Sequence, residues 1–159
     1  MPLQDLERVM NAHRRWLDSG GNEGSQAVLI GASLAGHAFW RADLSSAILD
    51  RCNFGGCNLD HASLHATSLR DARLERASLW QADLREADLS NANLRGAKLD
   101  HADLRGGLLY GADLTDASFW GARLEGADLR RATGLTPRQL APAKRDDATQ
   151  LEANILSSF

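Results

Sequence analysis

The sequence predicts an all-β solenoid, a narrow four-sided coil in which every turn of the chain buries the same kinds of side chain. Three observations carry that prediction. From Leu29 to Leu129 every fifth residue is Leu or Phe without a slip, 21 units in all. Two residues before each stands a small residue, Ala in most units and Cys52, Cys57, Thr67, Gly107 or the bulkier His37 in the others. Aromatic residues make up only 6% of the 159-residue chain, too few for bulky rings to fill a conventional core. A period of five fits neither the helical 3.6 nor the strand 2.0, so neither element could keep these positions on one side. The chain must turn once per unit. Four short extended sides then close a square coil, and stacked coils bury the Leu and Ala columns while main-chain hydrogen bonds link neighbouring coils. Each buried Leu contributes roughly 1.5–3 kcal/mol, and stability approaches a sum over coils.

Three segments follow in order. Residues 1–26 form an N-terminal helical cap and lead-in: Leu3, Leu6, Val9 or Met10, His13 and Trp16 or Leu17 recur at helical spacing, and Ser19-Gly20-Gly21 stops the helix. Residues 27–131 are the solenoid. In residues 132–159 the five-residue register fails after Ala132-Thr133-Gly134. Thr136-Pro137 reads there as an N-cap and first helical residue, starting a short C-terminal helix that runs to about Pro142. The tail, with Leu151, Ile155, Leu156 and Phe159, is apolar enough to dock on the shaft or on a second subunit. Both ends of a solenoid expose unpaired main chain, which is why flanking caps are expected.

The units A-D-L-S-S, A-D-L-R-E, A-N-L-R-G, A-D-L-R-G and A-D-L-T-D resemble the pentapeptide repeat family, whose pattern is A-[DN]-L-x-x. The run H-R-R-W-L-D-S-G-G-N-E-G resembles a lead-in of such proteins, and G-L-T-P-R-Q-L resembles their C-terminal ends. The resemblance implies a right-handed quadrilateral β-helix of about five coils, about 25 Å tall at the spacing of neighbouring strands.

Composition excludes several classes. A net charge of −3, from 18 basic and 21 acidic residues, offers no field for a polyanion, so no direct nucleic-acid binding is expected. No apolar run is long enough to span a membrane, and the charged N-terminal segment is no signal peptide; the expected location is cytoplasmic. Catalytic, cofactor and metal motifs are absent, and the five histidines form no ligand pattern. His37 is expected to pack inward under the N-terminal helix. Cys52 and Cys57 fall on adjacent walls, too far apart for a disulfide, and read as small apolar fillers.

Residues 20 apart lie above one another, so each wall can be read from the sequence. From Ala27 to Arg131 there are 14 acidic and 12 basic residues, and the net −2 falls on the wall of Leu44, Leu64, Leu84, Leu104 and Leu124. The wall of Phe39, Leu59, Leu79, Leu99 and Phe119 shows a second pattern. Its first outward position after the central residue reads Trp40, Asp60, Trp80, Asp100, Trp120, and the next column reads Arg41, His61, Gln81, His101, Gly121. Three origins fit this column: duplication of a two-coil block, a protein-contact face (homodimer seam or partner site), or stacking on a sugar or base. Trp40, Arg41, Asp60, His61, Trp80, Asp100, His101 and Trp120 are therefore the candidate interaction face.

On the wall of Leu29, the outward Val28, Ile30 and Ile48 are expected under the N-terminal helix. Leu108 and Tyr110 are expected to be either covered by the C-terminal segment or a dimer contact. The reading is a non-enzymatic protein-interaction module with an unidentified partner. One alternative is the DNA-mimicking, gyrase-interacting role that the resemblance also implies, disfavoured by the balanced charge. The other is a structural role through self-association.

Overall fold

The structure is a computed structural model and describes residues 1–156. The side chain of Leu156 and all of Phe159, both invoked for tail docking, lie outside what is described. From Ala27 onward the chain is a four-sided parallel β-helix. Every bridge joins residues 20 apart, from Val28 with Ile48 to Asp113 with Thr133.

Each unit repeats one hydrogen-bond scheme. The Leu34 N–H donates to the Asn53 carbonyl (2.8 Å), and the Asn53 N–H donates back to the Ala32 carbonyl (2.9 Å). The corner closes where the Ala32 N–H donates to the Leu29 carbonyl (3.0 Å). The residue two after each Leu or Phe has a positive φ, whether it is Gly31 (71°), Ala66 (53°) or His101 (59°). A positive φ at the third residue of a four-residue reversal defines a type II turn, so the five-residue period consists of three extended residues and two turn residues.

Inside, the Leu and Ala columns are almost wholly buried, with Phe39 edge-on to Phe54 at 5.3 Å near the first coil. The polar members of the small column sit among them by finding one acceptor. Cys52 Sγ donates to the Leu29 carbonyl (2.6 Å) and Thr67 Oγ1 to the Leu44 carbonyl (2.7 Å). Cys52 and Cys57 are free thiols, as their placement on adjacent walls requires.

A helix α1 (Leu3–Asp18) lies across the first coil. It buries Leu6 and His13, and His13 Nδ1 accepts the Ala27 N–H (3.1 Å), a donor with no earlier coil to pair with. His37 is half-buried beneath the N-terminus, its Nε2 donating to the Met1 carbonyl (3.2 Å). Gly24, at φ +76°, passes so close to α1 that a Cβ would collide with the Ala12 carbonyl. The expectation for Val28 and Ile30 fails, since both remain about half exposed. The helix covers the end of the shaft, reaching Ala38, Phe39 and Ala42, and leaves the flank of the Leu29 wall open.

The C-terminal segment departs from the sequence reading in a different way. Helix α2 (Pro137–Leu140) starts at a capping box in which Thr136 and Gln139 satisfy each other's backbone N–H groups. Gln139 Nε2 then donates to the carbonyls of Leu114 (2.9 Å) and Ala117 (3.0 Å), which have no further regular unit above them. Leu140 is fully buried. The chain next returns to the helix register, with Lys144 bridging Arg123 and Gln150 bridging Asp128. Thr149 Oγ1 donates to the Leu124 carbonyl (2.9 Å), repeating the Thr67 arrangement with a slip of two residues. The period of five is lost in sequence while the coil geometry persists, because one- and two-residue insertions are absorbed at the corners. A last turn of helix, α3, spans Ala153–Leu156. Leu108 is still 43% exposed, so the cap reading of that residue does not hold: the described C-terminal segment stacks on the end of the shaft, beside Phe119, and does not fold down over the Leu29 wall. Tyr110 is half-buried, with the Arg131 guanidinium 5.6 Å from its ring centre.

Candidate interaction face

The first of the two corner residues, directly after each Leu or Phe, carries an N–H that no ladder bond reaches, and its partner determines how each wall looks outside. In nine units the partner is local. Asp83 Oδ1 accepts the Arg85 N–H, Asn93 Oδ1 the Arg95 N–H, and Asp128 Oδ1 the Arg130 N–H. An Asp or Asn two residues before an unpaired N–H can reach it as an Asx turn, which gives the [DN] of the repeat its physical meaning.

The Trp80 and Trp120 units have Ser in that place, and a Ser side chain at that position leaves the N–H unserved. Asp60, one coil earlier, instead accepts the Trp80 N–H (3.0 Å) and the Ser78 hydroxyl (2.5 Å). Asp100 does the same for the Trp120 N–H (2.9 Å) and the Ser118 hydroxyl (2.8 Å). The Asp members of the alternation therefore have a structural cause, the same that sets Asp50 beneath the Ser68 hydroxyl and the Arg70 N–H. Asp60 and Asp100 are half-buried acceptors for the next coil, Asp60 through Oδ1 and Asp100 through both oxygens, and their place in the candidate face is as struts beneath it. The sequence held this signal as an Asp 18 residues before each Ser, which the column arithmetic passed over.

The three indoles point outward, with Trp40 57%, Trp80 39% and Trp120 66% exposed. Arg41 lies over Trp40, its guanidinium carbon 5.1 Å from the ring centre. His61 meets Trp80 edge-on at 4.8 Å, which accounts for the lower exposure of that indole. His101 leans into the space above Gly121, where a Cβ would lie 2.6 Å from Nδ1. Two cations escaped the sequence reading. Lys98 is exposed between the rungs of Ser78 and Ser118, and Arg138 of α2 shares a shallow recess of about 270 Å³ with Trp120. Arg138 was hidden because it lies outside the repeat.

Three of the five carboxylates of the acidic wall are paired with arginine, and Asp43 and Glu86 account for its net −2. Asp83 pairs with Arg85 (2.6 Å), Asp103 with Arg105 (2.6 Å) and Glu125 with Arg123 (3.3 Å). The hydrogen bond from Arg85 holds the Asp83 carboxyl below the usual carboxylate range, and Arg130 does the same for Asp128. Among the described residues no group of three or more His, Cys, Asp or Glu is placed to hold a metal ion, and no helix is long and apolar enough to cross a membrane.

A four-sided parallel β-helix with a two-residue corner every five residues defines a class of repeat solenoid with a side-chain-filled core and four outer walls. The pentapeptide repeat pattern matches eight copies across residues 25–60, 39–76, 67–106 and 108–133. The chain belongs to the pentapeptide repeat family, and so to its right-handed quadrilateral β-helices. A pentapeptide repeat protein of the Arabidopsis thaliana thylakoid lumen is 27% identical over 84% of this chain and 90% of that one, with a TM-score of 0.54. HetL from Nostoc sp. strain PCC 7120, involved in regulating heterocyst differentiation, is 35% identical over 66% of this chain, with a TM-score of 0.47; the match spans 56% of HetL. Rfr23 from Cyanothece 51142 is 25% identical over 90% of this chain and 99% of that one, with a TM-score of 0.47. No curated protein matches the chain in sequence.

Proposed function

We propose that this protein is a non-enzymatic interaction module whose contact surface is the wall carrying Trp40, Trp80 and Trp120. The carrying observation is the outward exposure of all three indoles in one column, while Asp60 and Asp100 beneath them serve in holding the coils together. Trp is enriched at binding hot spots, and a solenoid has a flat side for each partner and no cavity in its core. The segments at the two ends act as caps: α1 and the Gln139 side chain take up main-chain groups that would otherwise template end-to-end stacking. The two free, buried thiols suit a reducing, cytoplasmic setting.

A DNA-mimicking contact with gyrase would need a continuous acidic stripe, and arginines two residues away neutralise the carboxylates that could form one. Affinity capture from cell lysate with the wild-type chain and with the triple Trp40→Ala, Trp80→Ala, Trp120→Ala variant tests the proposal. A protein retained by the first and lost with the second supports the Trp wall. Equal capture by both removes it, and enrichment of gyrase subunits by both replaces it with the mimic.

A further inference from the structure

The spacing of the Trp column is set by the backbone: two coils separate successive indoles, about 9.6 Å at the distance between neighbouring strands. A partner that meets all three in the same way must repeat over that length. An extended strand returns a side chain to one face about every 6.7 Å and an α-helix about every 10.5 Å after seven residues. A polyproline II helix does so every three residues, about 9.3 Å. Over the two intervals from Trp40 to Trp120 a strand returns to within about 1 Å of Trp120 but misses the middle indole, Trp80, by about 3 Å, and an α-helix slips by about 2 Å. Polyproline II slips by only about 0.6 Å.

The chemistry agrees with the spacing. Polyproline II has no internal hydrogen bonds, so its carbonyls are free acceptors, and an indole offers both an apolar plate for a pyrrolidine ring and one N–H donor. Charge then selects among proline-rich segments. The exposed charged groups along the column are cationic, Arg41 over Trp40, Lys98 between Trp80 and Trp120, and Arg138 on the rim of the Trp120 recess, whereas Asp60 and Asp100 are half-buried. The carboxylates of Asp60 and Asp100 are engaged by the coil above them.

We infer that this wall binds an acidic, proline-rich segment in the polyproline II conformation, with prolines three residues apart seated on Trp40, Trp80 and Trp120 and carboxylates facing Arg41, Lys98 and Arg138. The inference rests on the reading of the Trp wall as a contact face, and names the occupant.

Titration of the full chain with a peptide of four Pro-Pro-Glu repeats, followed by tryptophan emission and by calorimetry, tests it. The expected result is saturable binding that is weakened about tenfold or more by Trp80→Ala, by Gly-Gly-Glu repeats of equal charge, and by Pro-Pro-Lys repeats. The double variant Arg41→Glu, Lys98→Glu should bind the Lys peptide better than the Glu peptide. Circular dichroism of each variant establishes that the solenoid is intact. No binding at millimolar peptide overturns the inference, as does equal binding of the Gly control or Trp-dependent self-association of the chain without peptide. If the peptide fails while lysate capture still depends on the three Trp residues, only the occupant is wrong; if capture is also indifferent to them, the contact face itself is.

Discussion

The carboxylate of Asp60 accepts the backbone N–H of Trp80, 20 residues on and one coil higher, at 3.0 Å, and the Ser78 hydroxyl of the same unit at 2.5 Å. That contact replaces the local Asx turn that nine units make with their own Asp or Asn. Asp60→Ala should destabilise the fold by about 1–2 kcal/mol, because two donors, the half-buried Ser78 hydroxyl and the Trp80 N–H, lose their acceptor. Asp60→Asn should cost less, since its Oδ1 can still accept. Adding Ser78→Asp to Asp60→Ala restores the local arrangement seen at Asp83, and should recover most of the loss. Chemical denaturation of the four chains measures all of this; a double variant no more stable than Asp60→Ala refutes the exchange of acceptors.

The corner geometry makes a prediction with opposite signs at two positions. Ala66 has φ 53°, a left-handed conformation that costs a residue with a Cβ about 1–2 kcal/mol. Ala66→Gly removes that strain but adds about 0.5–1 kcal/mol of unfolded-chain entropy, so the net change is a stabilisation of about 0.5–1 kcal/mol. Gly121→Ala should be destabilising, since φ is 66° there and the new Cβ would meet the His101 ring. Thermal unfolding of the two variants should bracket the wild type.

Much of this fold was legible in the sequence because its period is its geometry. The unbroken Leu and Phe column from 29 to 129 states both the five-residue turn and the inward face, and the i, i+20 bridges follow from it. The site was only partly legible. The Trp column emerges from counting by 20, yet the duty of Asp60 and Asp100 depends on what Ser78 and Ser118 cannot do, a relation between residues 18 apart that no single column contains. Beyond Gly134 the period is broken by insertions, so neither the return of Lys144 and Gln150 to the ladder nor the approach of Arg138 to Trp120 leaves a trace in the spacing.

The N-terminal helix should loosen in mild acid. Burial pushes the His13 pKa below its ordinary value, against the opposing pull of the Asp43 charge and the Ser45 backbone, and its Nδ1 must stay unprotonated to accept the Ala27 N–H. A histidine whose folded pKa is depressed binds more protons when unfolded. Its contribution is therefore complete above about pH 6.5 and is lost as pH falls below that towards the lowered folded value. Hydrogen exchange of the α1 amides should accelerate from pH 7 to pH 5 after correction for intrinsic rates, and His13→Gln should flatten that dependence. Unchanged protection of α1 at pH 5 would refute the coupling.

Replacing Trp40, Trp80 and Trp120 together by Ala should leave the β-type circular dichroism unchanged, because the Trp wall separates what folds from what binds. The bonds that tie these units into the solenoid use their backbone: the Trp80 N–H to Asp60, the Trp120 N–H to Asp100, and the Trp80 and Trp120 carbonyls accepting from His61 and His101 in the coil below. Alanine keeps every one of these groups. What it removes is indole surface already mostly in water at positions 40 and 120, the edge-on contact of Trp80 with His61, worth about 0.5–1.5 kcal/mol, and the Arg41 contact with Trp40, worth about 0.5–1 kcal/mol. The triple variant should therefore lose no more than about 2.5 kcal/mol, most of it from positions 80 and 40, and Trp120→Ala alone should lose least. A collapsed spectrum, or a loss spread equally over the three single variants, would make the column part of the fold and take away the reason to regard it as a binding face.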